Sequence, residues 1–330
     1  MHFSRRFLLT AGCVCGALMT AGCGGQSAGG GVKFVTIGTG SQTGVYYPVG
    51  SAMATLINER TQELGLKASV ETTGGSVFNI NAVLAGDMDF GIAQADREYQ
   101  ALNGKAEWEE TGPQPNLRAV CSLYTEMVNI VAADDAGIRT VADLKGKVVS
   151  IGNPGSGQRM NAIDVLTAAG LNWETDIRAE EVRAADSAKL LQDGRIDAFF
   201  FTVGHPAGTF MEASAGRRKV RFVPITGMDK LIEAQPFYRN VKIPLHLYEA
   251  VANDEPDGVP TIGVTTMLVT SAQEDENTVY EFTKTLFEHL DTLRAQHPAL
   301  SGLDAKEMVS GNSAPLHPGA ERYFKEAGLL

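Results

Sequence analysis

The sequence predicts an α/β protein of two lobes, with a ligand cleft between them and two long crossover strands joining them. Short apolar stretches typical of strands alternate with stretches typical of helices, and the alternation starts twice, at Phe34 and at Val148. Each series is followed by an unusually long apolar span, 118–133 and 259–271. Such alternation favours a mostly parallel sheet with helices on both faces.

The first series begins with the strand "FVTIG" and a Gly-rich turn, followed by the helix "YYPVGSAMATLINER". Val49, Met53, Leu56 and Ile57 form one apolar stripe of that helix. The strands "KASVETT" and "MDFGIAQ" lie on either side of a second helix, "VFNINAVLAG", which we expect to end at its glycine.

The second series repeats this order with the strand "VVSIG", a turn and a helix. A short strand "AEEV", a helix "SAKLLQDGR" and a buried strand "IDAFFFTV" follow. After the second long span, apolar residues at helical spacing predict one helix, marked by Val279, Phe282, Leu286, Leu290 and Leu293. We assign 32–125 and 264–330 to lobe 1 and 126–263 to lobe 2.

The first 23 residues have the pattern of a signal peptide. Arg5 and Arg6 precede an apolar run, and small residues follow it. "TAGC" resembles a bacterial lipobox that ends at Cys23, although Thr20 stands where Leu is usual, so lipidation of Cys23 and ordinary cleavage both remain open. "SRRFLL" fits a twin-arginine signal and a simple basic start equally well. Either route predicts a periplasmic or otherwise extracytoplasmic protein, with 24–31 as a flexible linker.

Composition and cysteine content exclude several classes. The net charge of −11 and the lack of a basic cluster argue against a nucleic-acid partner. Beyond the signal peptide only Cys121 remains, so no disulfide is expected within the mature chain. The histidines show no metal-ligand spacing. We therefore predict no metal, no cofactor and no catalytic residue.

Four Gly-rich turns precede predicted helices: "GSQTG", "TGGS", "PGSG" and "GHPAG". Backbone N–H groups at helix starts bind anions. Neither the spacing of Gly38, Gly40 and Gly44 nor the turn from Gly152 matches a nucleotide-binding loop, and neither turn has a P-loop lysine. The turns therefore favour a carboxylate over a phosphate.

Six segments of the chain resemble the TAXI family, the extracytoplasmic solute-binding proteins associated with TRAP transporters. They occur in the family's order and span essentially the whole mature chain: "GTGSQTGVYYPVGSAMATLIN", "ETTGGSVFNINAVLAGDMDFGIAQAD", "GNPGSGQRMNA", "DAFFFTVGHPAG", "LVTSAQEDENTVYEFTKTLFEH" and "APLHPGAERYFKEAG".

The resemblance implies a periplasmic-binding-protein fold of type II-like topology that closes on a small anionic solute. It implies delivery of that solute to a fused TRAP membrane permease driven by an ion gradient. Glutamate, glutamine or dicarboxylates such as 2-oxoglutarate are the expected ligand class. A monomer is the default expectation, and we predict a receptor and not an enzyme. An exported enzyme on the same fold and a surface interaction protein are the alternatives.

The resemblance also implies a ligand site. Gly155, Ser156 and Gly157 would hold a carboxylate, with Arg159 adding charge. The other implied ligand-binding residues are Ser41, Tyr46, Tyr47, Thr73, Ser76, Asn79 and Gln94. Each has an ordinary structural alternative, such as packing at a helix start for Tyr46 and Tyr47.

Glu126 interrupts an apolar span, where a carboxylate is costly to bury unless it is paired. We expect it to meet a ligand ammonium or a hydrogen-bond donor in the cleft; a structural pair between lobes and an exposed hinge charge are the alternatives. Two departures from the family leave the ligand open. Gln158 replaces a usual Thr, and 243–264 replaces a shorter Gly-Thr-Tyr-Pro-Gly-like segment.

Overall fold

One ten-stranded sheet runs through the part of the protein that the computed structural model describes, residues 31–248 and 250–330. Its strands are β1 (Lys33–Gly38), β2 (Leu66–Glu71), β3 (Phe90–Gln94), β4 (Leu117–Ala133), β5 (Val148–Ser150), β6 (Arg178–Glu180), β7 (Ala198–Val203), β8 (Val220–Phe222), β9 (Arg239–Ile243) and β10 (Val259–Ser271). The predicted signal peptide with Cys23, and all of the predicted linker except Gly31, lie outside the described residues.

The helices of the same residues are α1 (Tyr46–Asn58), α2 (Thr61–Leu64), α3 (Ser76–Ala85), α4 (Ala95–Asn103), α5 (Gly157–Ala168), α6 (Ala184–Gln192), α7 (Gly208–Ala215), α8 (Asp229–Ala234), α9 (Glu276–Glu288), α10 (Leu290–Gln296), α11 (Ala305–Met308) and α12 (Pro318–Glu326). In this part of the chain, no helix combines the length and the apolar character needed to span a bilayer. Residues 32–330 form one compact unit.

The strand order repeats in two halves, as the two series in the sequence predict. The order is β2-β1-β3-β10 followed by β4-β7-β5-β6, with β8 on β4 and β9 on β10. β1 lies between β2 and β3, and β5 lies between β6 and β7. Each half therefore consists of three parallel strands and one long strand.

The prediction of a mostly parallel sheet is wrong. Among the described strands, four pairs are parallel and five are antiparallel, and every antiparallel pair contains β4 or β10. Hydrophobic periodicity indicates which face of a strand is buried but carries no information on strand direction. The direction of the two long strands was therefore not predictable from their composition.

β10 has the predicted bounds and β4 begins one residue before its predicted span, and the partners of both strands change midway. In β10, residues 266–270 pair with β3, whereas 259–263 pair with β9. β4 pairs with β7 only from Met127 onward. The predicted lobe boundaries, 125/126 and 263/264, coincide with these changes, and the division into lobes stays a prediction.

The two faces of the sheet have separate cores. Alternating residues of β7 show this, because Phe199 and Phe201 belong to one core and Phe200 to the other. Helices α1 and α9 bury residues in the first core, and α3 and α5 bury residues in the second. The prediction of helices on both faces is confirmed.

Helix ends follow the sequence at one position and depart from it at another. Gly86 ends α3 in the left-handed conformation, as predicted. The single helix predicted through Leu293 is instead broken at His289, whose backbone leaves the helical region (φ −116°, ψ 31°). Leu290 and Leu293 still enter the same core as α9, so the apolar stripe continues across the break and conceals it.

Candidate functional site

One cavity lies at the carboxyl ends of the parallel strands, between the two halves of the sheet. Its walls come from both halves: Gly40, Ser41, Gly44, Val45, Tyr46, Thr73, Gly74, Gly75, Ser76 and Gln94 from one, Glu126 from β4, and Asn153, Ser156, Gln158, Arg183, Ala184, Phe201, Thr202 and Val203 from the other. The centres of water-sized molecules can occupy about 70 Å³ of it, and its mouth is open to solvent. One water needs about 10–15 Å³ on this measure, so the cavity has room for several waters or a small solute.

Four helices begin at this cavity: α1, α3, α5 and α6. The residues that precede their first turns are Val45, Gly75, Ser156 and Arg183, and none of them caps its helix with a side chain. The first N–H groups of a helix have no partner within the helix, and the helix dipole places partial positive charge there. The cavity is therefore suited to an anion.

Seven of the twelve predicted ligand-binding residues line the cavity: Ser41, Tyr46, Thr73, Ser76, Gln94, Glu126 and Ser156. The other five do not: Tyr47, Asn79, Gly155, Gly157 and Arg159. Their contact with a ligand stays a prediction, but the positions of the side chains indicate what each does in the fold.

Asn79 bridges backbone strands inside one half. Its amide donates hydrogen bonds to the carbonyl oxygens of Thr39 and Ile92 at 2.7 and 2.8 Å. The Thr73 hydroxyl donates to Asn79 Oδ1 at 2.7 Å. All hydrogen-bonding groups of the Asn79 side chain thus serve the protein itself, and only Thr73 of this pair reaches the cavity.

Arg159 directs its charge away from the cavity. Its guanidinium pairs with Glu181 at 2.7 Å and lies 4.9 Å from the centre of the Trp173 ring. The sequence analysis missed a different arginine, Arg183, which does line the cavity. No carboxylate of the described residues lies within 4 Å of the Arg183 guanidinium, so its charge remains available to a solute.

The segment Gly155, Ser156 and Gly157, predicted to hold a carboxylate, contacts the other half of the sheet. The carbonyl of Gly155, at φ +81°, accepts a hydrogen bond from Phe78 N–H at 3.2 Å. A Cβ atom at Gly157 would lie 1.5 Å from Gln94 Oε1. Glycine is therefore required at 157 because the Gln94 amide occupies the space of a side chain.

A chain of polar groups fixes the orientation of Gln94. Asn161 donates from Nδ2 to Asp96 Oδ2 and to the Tyr238 hydroxyl, both at 2.7 Å. Its Oδ1 is therefore left to accept the hydrogen bond from Gln94 Nε2, also at 2.7 Å. Asp96 in turn pairs with Arg97 at 3.0 Å, and both side chains are fully buried.

Tyr46 and Ser76 form a second polar group on the cavity wall. Their hydroxyl oxygens lie 3.2 Å apart, and Ser76 Oγ also accepts a hydrogen bond from Gln94 N–H at 3.2 Å. Burial and the nearby Glu126 raise the pKa of Tyr46 well above its ordinary value. The phenol is therefore a neutral group that can both donate and accept hydrogen bonds.

Glu126 is 1% exposed, which excludes the alternative of an exposed hinge charge. Its Oε1 accepts a hydrogen bond from Thr266 Oγ1 on β10 at 2.8 Å. No Lys, Arg or His of the described residues pairs with it within 4 Å. Burial raises the pKa of this carboxyl to about 8, even though the hydroxyls of Tyr46 and Thr266 lower it.

Two further lining residues have buried polar atoms without a protein partner. Gln158 and Thr202 are each 7% exposed, and Gln158 Nε2 and Thr202 Oγ1 have no hydrogen-bond partner within the described part of the chain. Seven other side-chain atoms of the described residues share this property, but these two belong to residues of the cavity wall. In the sequence, Gln158 was notable only as a departure from the family, and Thr202 only as part of an apolar strand.

Direct contacts between the halves partly enclose the cavity. The Thr209 hydroxyl donates to Thr43 Oγ1 at 2.8 Å, and Asn153 Nδ2 donates to the carbonyl of Gly74 at 3.1 Å. Together with the Phe78–Gly155 hydrogen bond, these contacts hold the two walls together.

No group of three His, Cys, Asp or Glu side chains suited to a metal ion occurs among the residues that the structure describes.

The chain belongs to the NMT1-like family, whose model matches residues 37–328. A solved structure from Bordetella bronchiseptica RB50 is 18% identical, with a TM-score of 0.52, over 90% of this chain and 89% of that one. A putative L-cystine ABC transporter from Listeria monocytogenes is 15% identical, with a TM-score of 0.50, over 82% and 97% of the two chains.

The aliphatic sulphonate binding protein SsuA of Escherichia coli, a periplasmic protein, is 19% identical over 89% of this chain and 83% of that one, with a TM-score of 0.42. At identities this low, structural likeness establishes the fold alone. The protein has the mixed α/β fold of the Bordetella and Listeria structures.

Proposed function

We propose that this protein is an extracytoplasmic receptor for a small carboxylate, of the TAXI type, and that it delivers its solute to a TRAP-type membrane permease. One observation carries the proposal: four uncapped helix starts from both halves meet at one cavity, together with the unpartnered polar atoms of Gln158 and Thr202. Helix N-termini stabilise anions without a large basic patch, which agrees with the acidic composition.

The cavity favours a receptor over an enzyme. Its lining contains three serines but no histidine, cysteine or lysine, so no ordinary base stands beside a nucleophile. Glu126, with its raised pKa, is a weak candidate for such a base near pH 7. Glutamate, glutamine and dicarboxylates of similar size are the proposed ligand class, because the volume and the hydrogen-bond donors suit them.

Calorimetric titration of the exported, processed protein tests the proposal. The protein is unfolded, dialysed and refolded to remove any bound solute, and small carboxylates are then titrated. We expect stoichiometric binding of at least one carboxylate without its consumption, and a melting temperature that rises with its concentration. A flat response to the whole panel would favour a surface interaction protein, and turnover would favour an enzyme.

Variants locate the site. Thr202→Val and Gln158→Leu should each weaken binding by about tenfold or more, because each removes a hydrogen bond to a charged ligand. Thr167→Val and Gln62→Leu make the same chemical changes at exposed positions and should leave affinity unchanged. Equal affinity in all four variants would place the site elsewhere.

The transport partner needs a separate experiment. Uptake of the identified solute is measured in proteoliposomes that contain the TRAP permease and the receptor. We expect uptake to follow an imposed ion gradient and to be independent of ATP. ATP-dependent uptake with an ABC permease would replace the TRAP assignment and leave the receptor function in place. Mass measurement of the N-terminal peptide would show whether Cys23 carries lipid.

A further inference from the structure

Glu126 is placed where an ionised carboxylate would lack a compensating charge. It lies in the middle of β4 and on the cavity wall, with 1% of its surface exposed. The titratable groups that face it are Tyr46 from α1, Tyr124 from its own strand and Asp96 from α4. The neighbour from β10, Thr266, does not titrate. All of these groups are neutral or negative, and the cation on the cavity wall, Arg183, makes no ion pair with Glu126 among the described residues.

The hydrogen bonding around Glu126 leaves a donor for the cavity. Thr266 donates to Oε1, and the Tyr46 hydroxyl, which also lies 3.2 Å from Ser76 Oγ, is beside the carboxyl. A protonated carboxyl carries one O–H donor that requires an acceptor. Because Glu126 lines the cavity, an oxygen of a bound solute can be that acceptor. Burial raises the pKa of Glu126 to about 8, so the proton is present near neutral pH.

We propose, on the basis of the receptor function above, that Glu126 recognises the solute as a neutral carboxylic acid donating a hydrogen bond to a ligand oxygen, and that the site therefore selects oxo acids over amino acids. A ligand ammonium at the same position has no lone pair to accept the Glu126 proton and would be repelled by the Arg183 charge at the cavity. A keto oxygen accepts that proton, whereas the carboxylate, which both kinds of acid carry, does not distinguish them. The structure thus favours the donor role over the contact with an ammonium expected from the sequence.

Two pairs of probes test the selection: 2-oxoglutarate against L-glutamate, and pyruvate against L-alanine. Each pair shares a carbon skeleton and differs in a keto oxygen or an ammonium at one carbon. At pH 7 we expect the oxo acid of whichever pair binds to bind at least tenfold more tightly than its amino acid. Above pH 8 the affinity for the oxo acid should decrease, with a limiting slope of about tenfold per pH unit, because Glu126 loses the donated proton.

Glu126→Gln keeps the shape of the side chain but removes its titratable proton. The amide still donates but cannot titrate, so this variant should bind the oxo acid several-fold more weakly at pH 7 and keep that affinity at pH 9. Glu126→Met removes the donor and should bind at least tenfold more weakly at both pH values. Glu212→Gln, an exposed change, should reproduce the wild-type pH profile.

The outcomes distinguish this inference from the receptor function. If an amino acid binds more tightly than its oxo acid, with affinity that increases with pH, the receptor function stands and the role of Glu126 as a donor is wrong. A wild-type fall in affinity that persists in Glu126→Gln also overturns it. If none of the four probes binds while another carboxylate of the panel does, the receptor function stands and the selection of oxo acids by Glu126 is wrong. The comparison of probes in the wild type remains decisive even where a variant does not fold.

Discussion

Gln94 and Asn161 join the two halves of the protein through one side-chain hydrogen bond of 2.7 Å beside the cavity. Gln94 ends β3, whereas Asn161 lies on α5, so the bond forms only when the two cavity walls are together. Since Asp96 and Tyr238 use both protons of the Asn161 amide, Gln94 has no alternative orientation in this bond. The contact ties the relative position of the two cavity walls to the orientation of Gln94.

Gln94→Met should weaken solute binding by about tenfold. Methionine fills a similar volume but cannot donate to Asn161, so the closed arrangement loses one hydrogen bond and leaves a buried acceptor unsatisfied. Calorimetric titration measures the dissociation constant, and Gln62→Met at an exposed position is the matched control. Binding equal to that of the wild type would show that this bond does not contribute to closure.

Gly157→Ala should weaken solute binding at least as much as Gln94→Met does. The new Cβ would lie 1.5 Å from Gln94 Oε1, so the Gln94 amide must leave its position or the halves must separate. The double variant Gly157→Ala/Gln94→Ala should recover part of the loss, because the obstructing amide is gone. Gly302→Ala, where no atom lies within 4 Å of the added Cβ, is the control. A single variant that binds normally would contradict the close approach.

Glu126→Gln should change how stability depends on pH. The carboxyl has a pKa of about 8 in the folded protein against its ordinary 4.5, so folding retains a proton that the unfolded chain releases above pH 4.5. The contribution of Glu126 to stability is full below pH 4.5 and decreases as pH rises to about 8, by about 1.4 kcal/mol per unit.

The advantage of Glu126→Gln over the wild type in free energy of unfolding should therefore grow between pH 5 and pH 8 and then level off. Urea unfolding at several pH values measures it, with Glu212→Gln as the exposed control. An advantage that stays constant over this range would mean that Glu126 is ionised in the folded protein.

Arg183→Gln should slow the association of an anionic solute. Its guanidinium lies at the cavity edge, and exposed charges act over about 10 Å at 0.1 M salt. Stopped-flow measurements at low and high salt should show the largest loss of association rate at low salt, with little change in melting temperature. Arg217→Gln is the control. An identical salt dependence in Arg183→Gln and the wild type would exclude steering by this residue.

The features predicted correctly from the sequence are those that depend on local pattern. The long strands β4 and β10 were predicted because apolar residues recur along their whole length, and the end of α3 because Gly86 follows its last apolar turn. α4 was missed because its buried residues include Asp96, Arg97 and Glu98, which give no apolar stripe. Asp96 pairs with its neighbour Arg97, and Glu98 accepts a hydrogen bond from Ser313 N–H, contacts that an apolar periodicity does not indicate.

Prediction of the site residues has the same limit, since a local pattern does not reveal contacts with residues distant in the sequence. Ser76 and Ser156 were predicted from the resemblance to the TAXI family, and both lie in Gly-rich turns before helices, which are typical of anion sites. Gln158, Thr202 and Arg183 were not, because an unpartnered polar group is recognised only when all of its neighbours are known. Conversely, Arg159 has a favourable position on the first turn of α5, but Glu181, far along the chain, takes its charge.

The most direct test of the account is one calorimetric titration of refolded protein with 2-oxoglutarate at pH 7, for the wild type and for Gln158→Leu/Thr202→Val. The account predicts one solute per protein in the wild type and a loss of about a hundredfold or more in the double variant, because two hydrogen bonds to a charged ligand disappear. Binding of equal strength in both proteins would contradict the assignment of this cavity as the solute site.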